Sequence, residues 1–230
     1  MIKEIINKLK SELPATVKLV AVSKFHPFEA IQEAYSAGQR VFAESRPQEL
    51  LMKIKRLEEI RAVRGEPEYM SDIEWHFIGH LQTNKLKMVL PYASLVQSID
   101  SVRLLEAVNQ WGRINGKVIN VLLEPHVAAE QTKQGFSKEE IMAVLADASS
   151  YENVRFCGIM GMATFTEDEH VIASDFQEIA TIFQRAVESF PDLTPEFMEL
   201  SIGMSDDYLT AIGYGSTMVR IGSMIFGSRA

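Results

Sequence analysis

A single cysteine, Cys157, in 230 residues rules out an intrachain disulfide, so packing alone must hold the fold. Cationic residues are also short. The 23 Lys and Arg against 31 Asp and Glu leave a formal charge of −8, which argues against nonspecific nucleic-acid binding. No apolar run approaches the ~20 residues that span a bilayer. The first ten residues mix charges along an amphipathic helical pattern, unlike a secretory signal. The expectation is a cytoplasmic protein of one domain, 1–230, with neither membrane nor nucleic acid as partner. Clustered carboxylates and histidines of the kind that ligate metals are lacking too. Cys157 lies in the apolar run 154–162 and reads as a buried, inert thiol.

What the chain does have is alternation. Short apolar runs at 17–24, 40–45, 73–79, 95–100, 117–124, 154–162, 197–202 and 217–221 read as strands. Helix-period segments separate them at 27–38, 46–62, 83–90, 101–115, 137–149, 168–190 and 206–213. Eight strands with intervening helices and one helix in front predict a (β/α)8 TIM barrel with an extra N-terminal helix. An open doubly wound sheet shares the alternation but seldom needs eight strands in so short a chain. The polar segment 63–72 reads as a mobile loop, and the mixed charges of 53–59 as a solvated helix face.

In a barrel the chemistry gathers at the carboxyl ends of the strands. The first strand there ends on an amine, in Val17-Lys-Leu-Val-Ala-Val-Ser-Lys24. A lysine so placed can condense with an aldehyde. The last two strand ends, Ser201-Ile-Gly-Met-Ser205 and Arg220-Ile-Gly-Ser223, offer hydroxyls and bare backbone N–H groups. The loops after strands seven and eight are the usual phosphate site of this fold. Lysine and phosphate cup together fit a phosphorylated aldehyde, of which pyridoxal 5'-phosphate is the common case. His76 reads as a satisfied core histidine, His80 as an exposed group near the barrel mouth, and Asp206-Asp207 as caps of a short helix.

Five segments carry a resemblance. Ala21-Val-Ser-Lys24, Trp75-His-Phe-Ile-Gly-His-Leu-Gln-Thr-Asn-Lys85, Gly158-Ile-Met-Gly-Met-Ala-Thr164, Leu200-Ser-Ile-Gly-Met-Ser-Asp-Asp-Tyr208 and Gly215-Ser-Thr-Met-Val-Arg-Ile-Gly-Ser223 resemble, in family order, the pyridoxal-phosphate homeostasis proteins. That family is similar to the barrel domain of alanine racemase, the type III pyridoxal-phosphate fold. The resemblance implies Lys24 as the Schiff-base lysine, holding the cofactor as an aldimine. It also implies Ser201, Gly222 and Ser223 around the phosphate, and Arg220 against the pyridine nitrogen. Ala43-Glu44-Ser45 stands where the family has Gly-Glu-Asn, so Ser45 brings a hydroxyl in place of an amide beside the cofactor.

The implied function is intracellular vitamin B6 homeostasis without robust catalysis. An arginine at the ring nitrogen does not readily give up a proton, and so weakens the ring as an electron sink. Alanine racemase also draws a second acid/base group from a further β domain, and the length of this chain leaves no room for one. Apo-enzymes that need pyridoxal phosphate become possible recipients, and a monomer is expected. Two alternatives stand beside this reading: an amino-acid racemase using the same cofactor, and a phosphosugar-type barrel enzyme without an imine.

Overall fold

Eight parallel strands close on themselves in chain order, β1 pairing with both β2 and β8. The computed structural model describes residues 1–127, 135–193 and 196–227. The strands are β1 (Lys18–Val22), β2 (Val41–Glu44), β3 (Glu74–Phe77), β4 (Leu95–Ile99), β5 (Ile119–Leu123), β6 (Val154–Met160), β7 (Glu199–Ser201) and β8 (Met218–Ile221). Each lies inside a predicted apolar run. The architecture is the (β/α)8 barrel that the alternation predicts.

The helices are α1 (Ile2–Glu12), α2 (Phe28–Ser36), α3 (Pro47–Arg64), α4 (Leu86–Val89), α5 (Val102–Asn115), α6 (Lys138–Ala146), α7 (Glu169–Ser189), α8 (Tyr208–Gly213) and α9 (Ser223–Phe226). The leading helix α1 buries Ile6 and Leu9 and packs against α2 and α9. The short α9 has no counterpart in the sequence reading. Four residues carry too little periodicity to register. The start of α6 is fixed by a capping box, with Ser137 and Glu140 each bonding the other's backbone N–H.

Strand alternation sorts the apolar side chains into two clusters. Val20, Val22, Val41, Ala43, Leu95, Leu122, Met160 and Met218 form the smaller one, which fills the barrel lumen. The larger one, with Leu19, Ala21, Phe42, Phe77, Val96, Val219 and Ile221, joins the outer strand faces to the helices. Each fully buried aliphatic side chain contributes about 1.5–3 kcal/mol. No helix among the described residues is long and apolar enough to cross a membrane.

Two sequence expectations change here. The segment 63–72 is not a free loop. α3 runs to Arg64, the Arg61 guanidinium donates to the carbonyls of Tyr69 (2.8 Å) and Met70 (3.1 Å), and Met70 is buried. Asp72 is further tied to Tyr35 and Arg40. Lys53 is not on a solvated face either, being only 6 % exposed.

Gly158 shows how tightly β6 meets β7. Its φ is +147°, and a Cβ there would fall 1.8 Å from the Glu199 carbonyl oxygen. Gly158→Ala is therefore expected to cost about 2–3 kcal/mol, read as a lower urea midpoint at unchanged slope.

Candidate functional site

A cavity of about 220 Å³ opens at the carboxyl ends of the strands. Val22, Ile78 and Met160 form part of its wall, and Lys24, Ser205, Arg220, Gly222 and Ser223 bring polar groups to it. Four of the six residues singled out from sequence, Lys24, Arg220, Gly222 and Ser223, thus meet in one cavity. Ser45 and Ser201 do not line it.

Arg220 is only 4 % exposed, and the protein itself solvates its charge. One terminal nitrogen donates to the Ser201 carbonyl (2.6 Å) and hydroxyl (2.8 Å), and the other to the Gly161 carbonyl (2.8 Å). Burial lowers its pKa to about 10, with Glu124 and Asp207 acting the other way. The guanidinium therefore stays cationic at neutral pH. Three of its five N–H donors meet these acceptors, and the residue lines the cavity.

Ser201 sits one layer lower than the resemblance implies. It is fully buried, and its hydroxyl donates to Gln97 Oε1 at 2.7 Å while accepting from Arg220. The Gln97 amide in turn donates to His76 Nδ1 at 2.9 Å. His76, Gln97, Ser201 and Arg220 thus form one polar chain through the lumen, every hydroxyl and amide pointing the same way. Ser201 supports Arg220 and does not line the cavity. The hydroxyl that does reach the cavity is Ser205, four residues on, whose oxygen accepts from the Gly222 N–H at 3.3 Å. The motif holds both serines, and sequence alone does not show which one leaves the strand.

Lys24 is half-buried on the turn after β1, between two anchored peptide groups. The Ser23 carbonyl accepts from the Lys53 ammonium at 2.7 Å, and the Phe25 N–H donates to Glu49 Oε1 at 2.5 Å. The Ser23 hydroxyl donates to Glu44 Oε1 at 2.5 Å. Burial pushes the Glu44 carboxyl above its usual range, while Lys53 and Ser23 pull against it. His26, next along, stacks on Phe226 with ring centroids 5.2 Å apart. Burial, then the Lys53 charge, keeps its pKa low.

The remaining groups are less central. Ser45 is half-buried outside the cavity lining, and its backbone is approached so closely that a Cβ on Gly79 would fall 2.0 Å from its carbonyl oxygen. His80 Nδ1 pairs with Asp100 Oδ2 at 2.9 Å, half exposed and outside the cavity lining. Asp207 accepts from the Met204 N–H at 2.5 Å and does not cap α8 by side-chain hydrogen bond. Asp206, exposed, is the sole carboxylate among the described residues of the lining. Cys157 is half-buried, with its thiol pKa raised by burial.

The family model for the alanine racemase N-terminal domain matches residues 1–230. The pyridoxal phosphate homeostasis protein of Vibrio alginolyticus is 36 % identical over 216 residues, covering 94 % of this chain and 88 % of that protein. Its mouse namesake is 36 % identical over 239 residues, covering 99 % and 83 %. Among solved structures, PipY of Synechococcus elongatus PCC7942 with PLP bound superposes at a TM-score of 0.86 with 31 % identity, covering 99 % of this chain and all of that one. The same protein without PLP reaches 0.89 at 32 % identity, with the same coverage. Alanine racemase of Corynebacterium glutamicum shares the fold at a TM-score of 0.71 and 14 % identity, with 99 % of this chain covering 60 % of that one.

Two outcomes test the polar chain. Ser201→Ala leaves Gln97 and Arg220 each short of a buried partner, so it should cost about 1–3 kcal/mol in urea unfolding, whereas Ser205→Ala should cost little. His76 has its pKa held down to about 3 by burial, against an ordinary 6.5. The unfolded chain therefore takes up a proton that the folded chain refuses, and stability should fall by ~1.4 kcal/mol per pH unit as pH drops from about 6.5 towards 3. His76→Gln should flatten that part of the profile.

Proposed function

The chain belongs to the pyridoxal phosphate homeostasis protein family, and we propose that it binds pyridoxal 5'-phosphate at the barrel mouth as exchangeable cargo. The observation that carries this reading is the pairing of Lys24 with Arg220 on one cavity. When bound, the cofactor supplies an aldehyde that condenses with a primary amine, with loss of water, and a pyridine ring that can draw electrons from the adduct.

The chain's own residues fit such a ligand. Lys24 supplies the amine, and its turn is fastened on both sides so that the side chain projects into the cavity. Ser223 and Ser205 offer backbone and hydroxyl donors for a phosphate, the Gly222 N–H holds the Ser205 oxygen in place, and Ser223 opens α9. Arg220, with its charge retained, keeps N–H donors for the ring nitrogen, which must then be an acceptor without a proton. A group that only donates to that nitrogen leaves the ring a weak electron sink, which favours storage over carbanion chemistry. Asp206 works against an anionic ligand, and its exposure keeps that cost small.

Holding and releasing the cofactor for enzymes that require it is the role that follows. A weak sink at Arg220 suits a carrier, or a racemase that tolerates a weak sink, better than a transaminase, so turnover of an amino acid is what separates the two readings.

The test is a visible spectrum of the purified protein loaded with pyridoxal phosphate, followed by borohydride reduction and peptide mass mapping. The reading expects a band near that of lysine-linked cofactor and a reduced adduct on Lys24, both lost in Lys24→Ala. A Lys24→Ala protein that keeps band and cofactor would sink it. Racemisation of a common amino acid at useful turnover would instead favour the enzyme. Asp206→Asn should tighten cofactor binding by about two- to fivefold, measured by fluorescence titration.

A further inference from the structure

The turn that carries Lys24 is fastened from outside the barrel by a buried ion triad. Lys53 lies on α3, and its ammonium has three hydrogens. They meet Glu44 Oε1 at 2.6 Å, the Ser23 carbonyl at 2.7 Å and Glu49 Oε1 at 2.9 Å, so none is left over. Glu49 Oε1 also accepts the Phe25 N–H. The Ser23 carbonyl belongs to the peptide before Lys24, and the Phe25 N–H to the peptide after it. Both peptide units of the lysine are thus held by one cation and the carboxylate it pairs with.

The backbone shows why such holding is needed. Phe25 has φ +68°, a left-handed conformation that costs a bulky L-residue free energy unless its surroundings impose it. Glu49 supplies one restraint by accepting the Phe25 N–H. Arg46 supplies another, its guanidinium carbon 4.6 Å from the Phe25 ring centroid. Released from them, the turn would relax toward ordinary φ values and rotate the lysine away from its present aim.

We propose that Lys53 and Glu49 are positioning residues for Lys24, setting how long the cofactor stays bound. This inference rests on the reading that Lys24 is the cofactor's tether. A reversible tether re-forms at a rate governed by how often the amine meets the aldehyde in the right geometry. Loosening the turn lowers that frequency without removing any group that touches the cofactor. Release speeds up while the ring and phosphate contacts stay as they were.

The experiment follows loss of the visible band on dilution of loaded protein. In parallel, amide hydrogen exchange at Phe25 is measured in protein free of cofactor. Glu49→Ala should release the cofactor about tenfold faster and raise Phe25 exchange by a similar factor, the effect expected from losing one hydrogen bond to a charged group. Glu49→Gln keeps an oxygen for the Phe25 N–H and should restore most of both rates, a rescue that general destabilisation would not give. Lys53→Met should match or exceed Glu49→Ala. It also leaves two carboxylates without their cation and risks unfolding, so the Glu49 pair decides. A folded Glu49→Ala protein with wild-type release overturns the inference alone. A wild-type protein with no lysine-linked band overturns the tether reading and this inference with it, while Phe25 exchange still reports whether the triad holds the turn.

Discussion

A guanidinium buried at the mouth of a barrel must be solvated by the protein, and much of this site follows from how that is done. Arg220 rests on two backbone carbonyls and the Ser201 hydroxyl. Ser201 accepts from Arg220 while its own proton goes to Gln97, and Gln97 is oriented by His76. The lumen therefore uses three polar side chains, Ser201, Gln97 and His76, to hold one charge in place. A cheaper core would have been apolar, since buried polar groups pay off only when every partner is satisfied. The retained charge is what gives the cavity its chemical character.

That inner chain has an outer counterpart. Lys53, Glu44 and Glu49 sit between the barrel and α3, and they reach the cavity only through the backbone of the Lys24 turn. Arg220 is thus positioned from within the lumen and Lys24 from the helical layer. The two groups are set by separate networks, so substitutions in one should leave the geometry of the other largely intact.

Much of this was legible in the residues. Apolar runs of five to nine residues between helix-period stretches gave away all eight strands, because a barrel strand buried on both faces has little choice of composition. Lys24, Arg220, Gly222 and Ser223 were found because strand ends are where the fold exposes functional groups. The burial of Ser201 was not legible, because β7 is three residues long, too short for alternation to say which serine of the motif turns inward. Lys53 was missed because its neighbours are charged. Yet it lies three residues after Leu50 and four before Leu57, both buried, and so on the apolar stripe of α3. A lysine within such a stripe, four residues after a glutamate, was the available signal. The positive φ of Phe25 had no signal at all, since phenylalanine seldom adopts it.

The central claim is that Arg220 meets the cofactor's ring nitrogen as a donor and so makes the site a store. The most direct test is the nitrogen-15 chemical shift of ring-labelled pyridoxal phosphate bound to the intact protein. The account predicts the shift of an unprotonated pyridine nitrogen at neutral pH, moving when Arg220 is replaced by a carboxylate. A protonated ring nitrogen in the wild-type protein would contradict it.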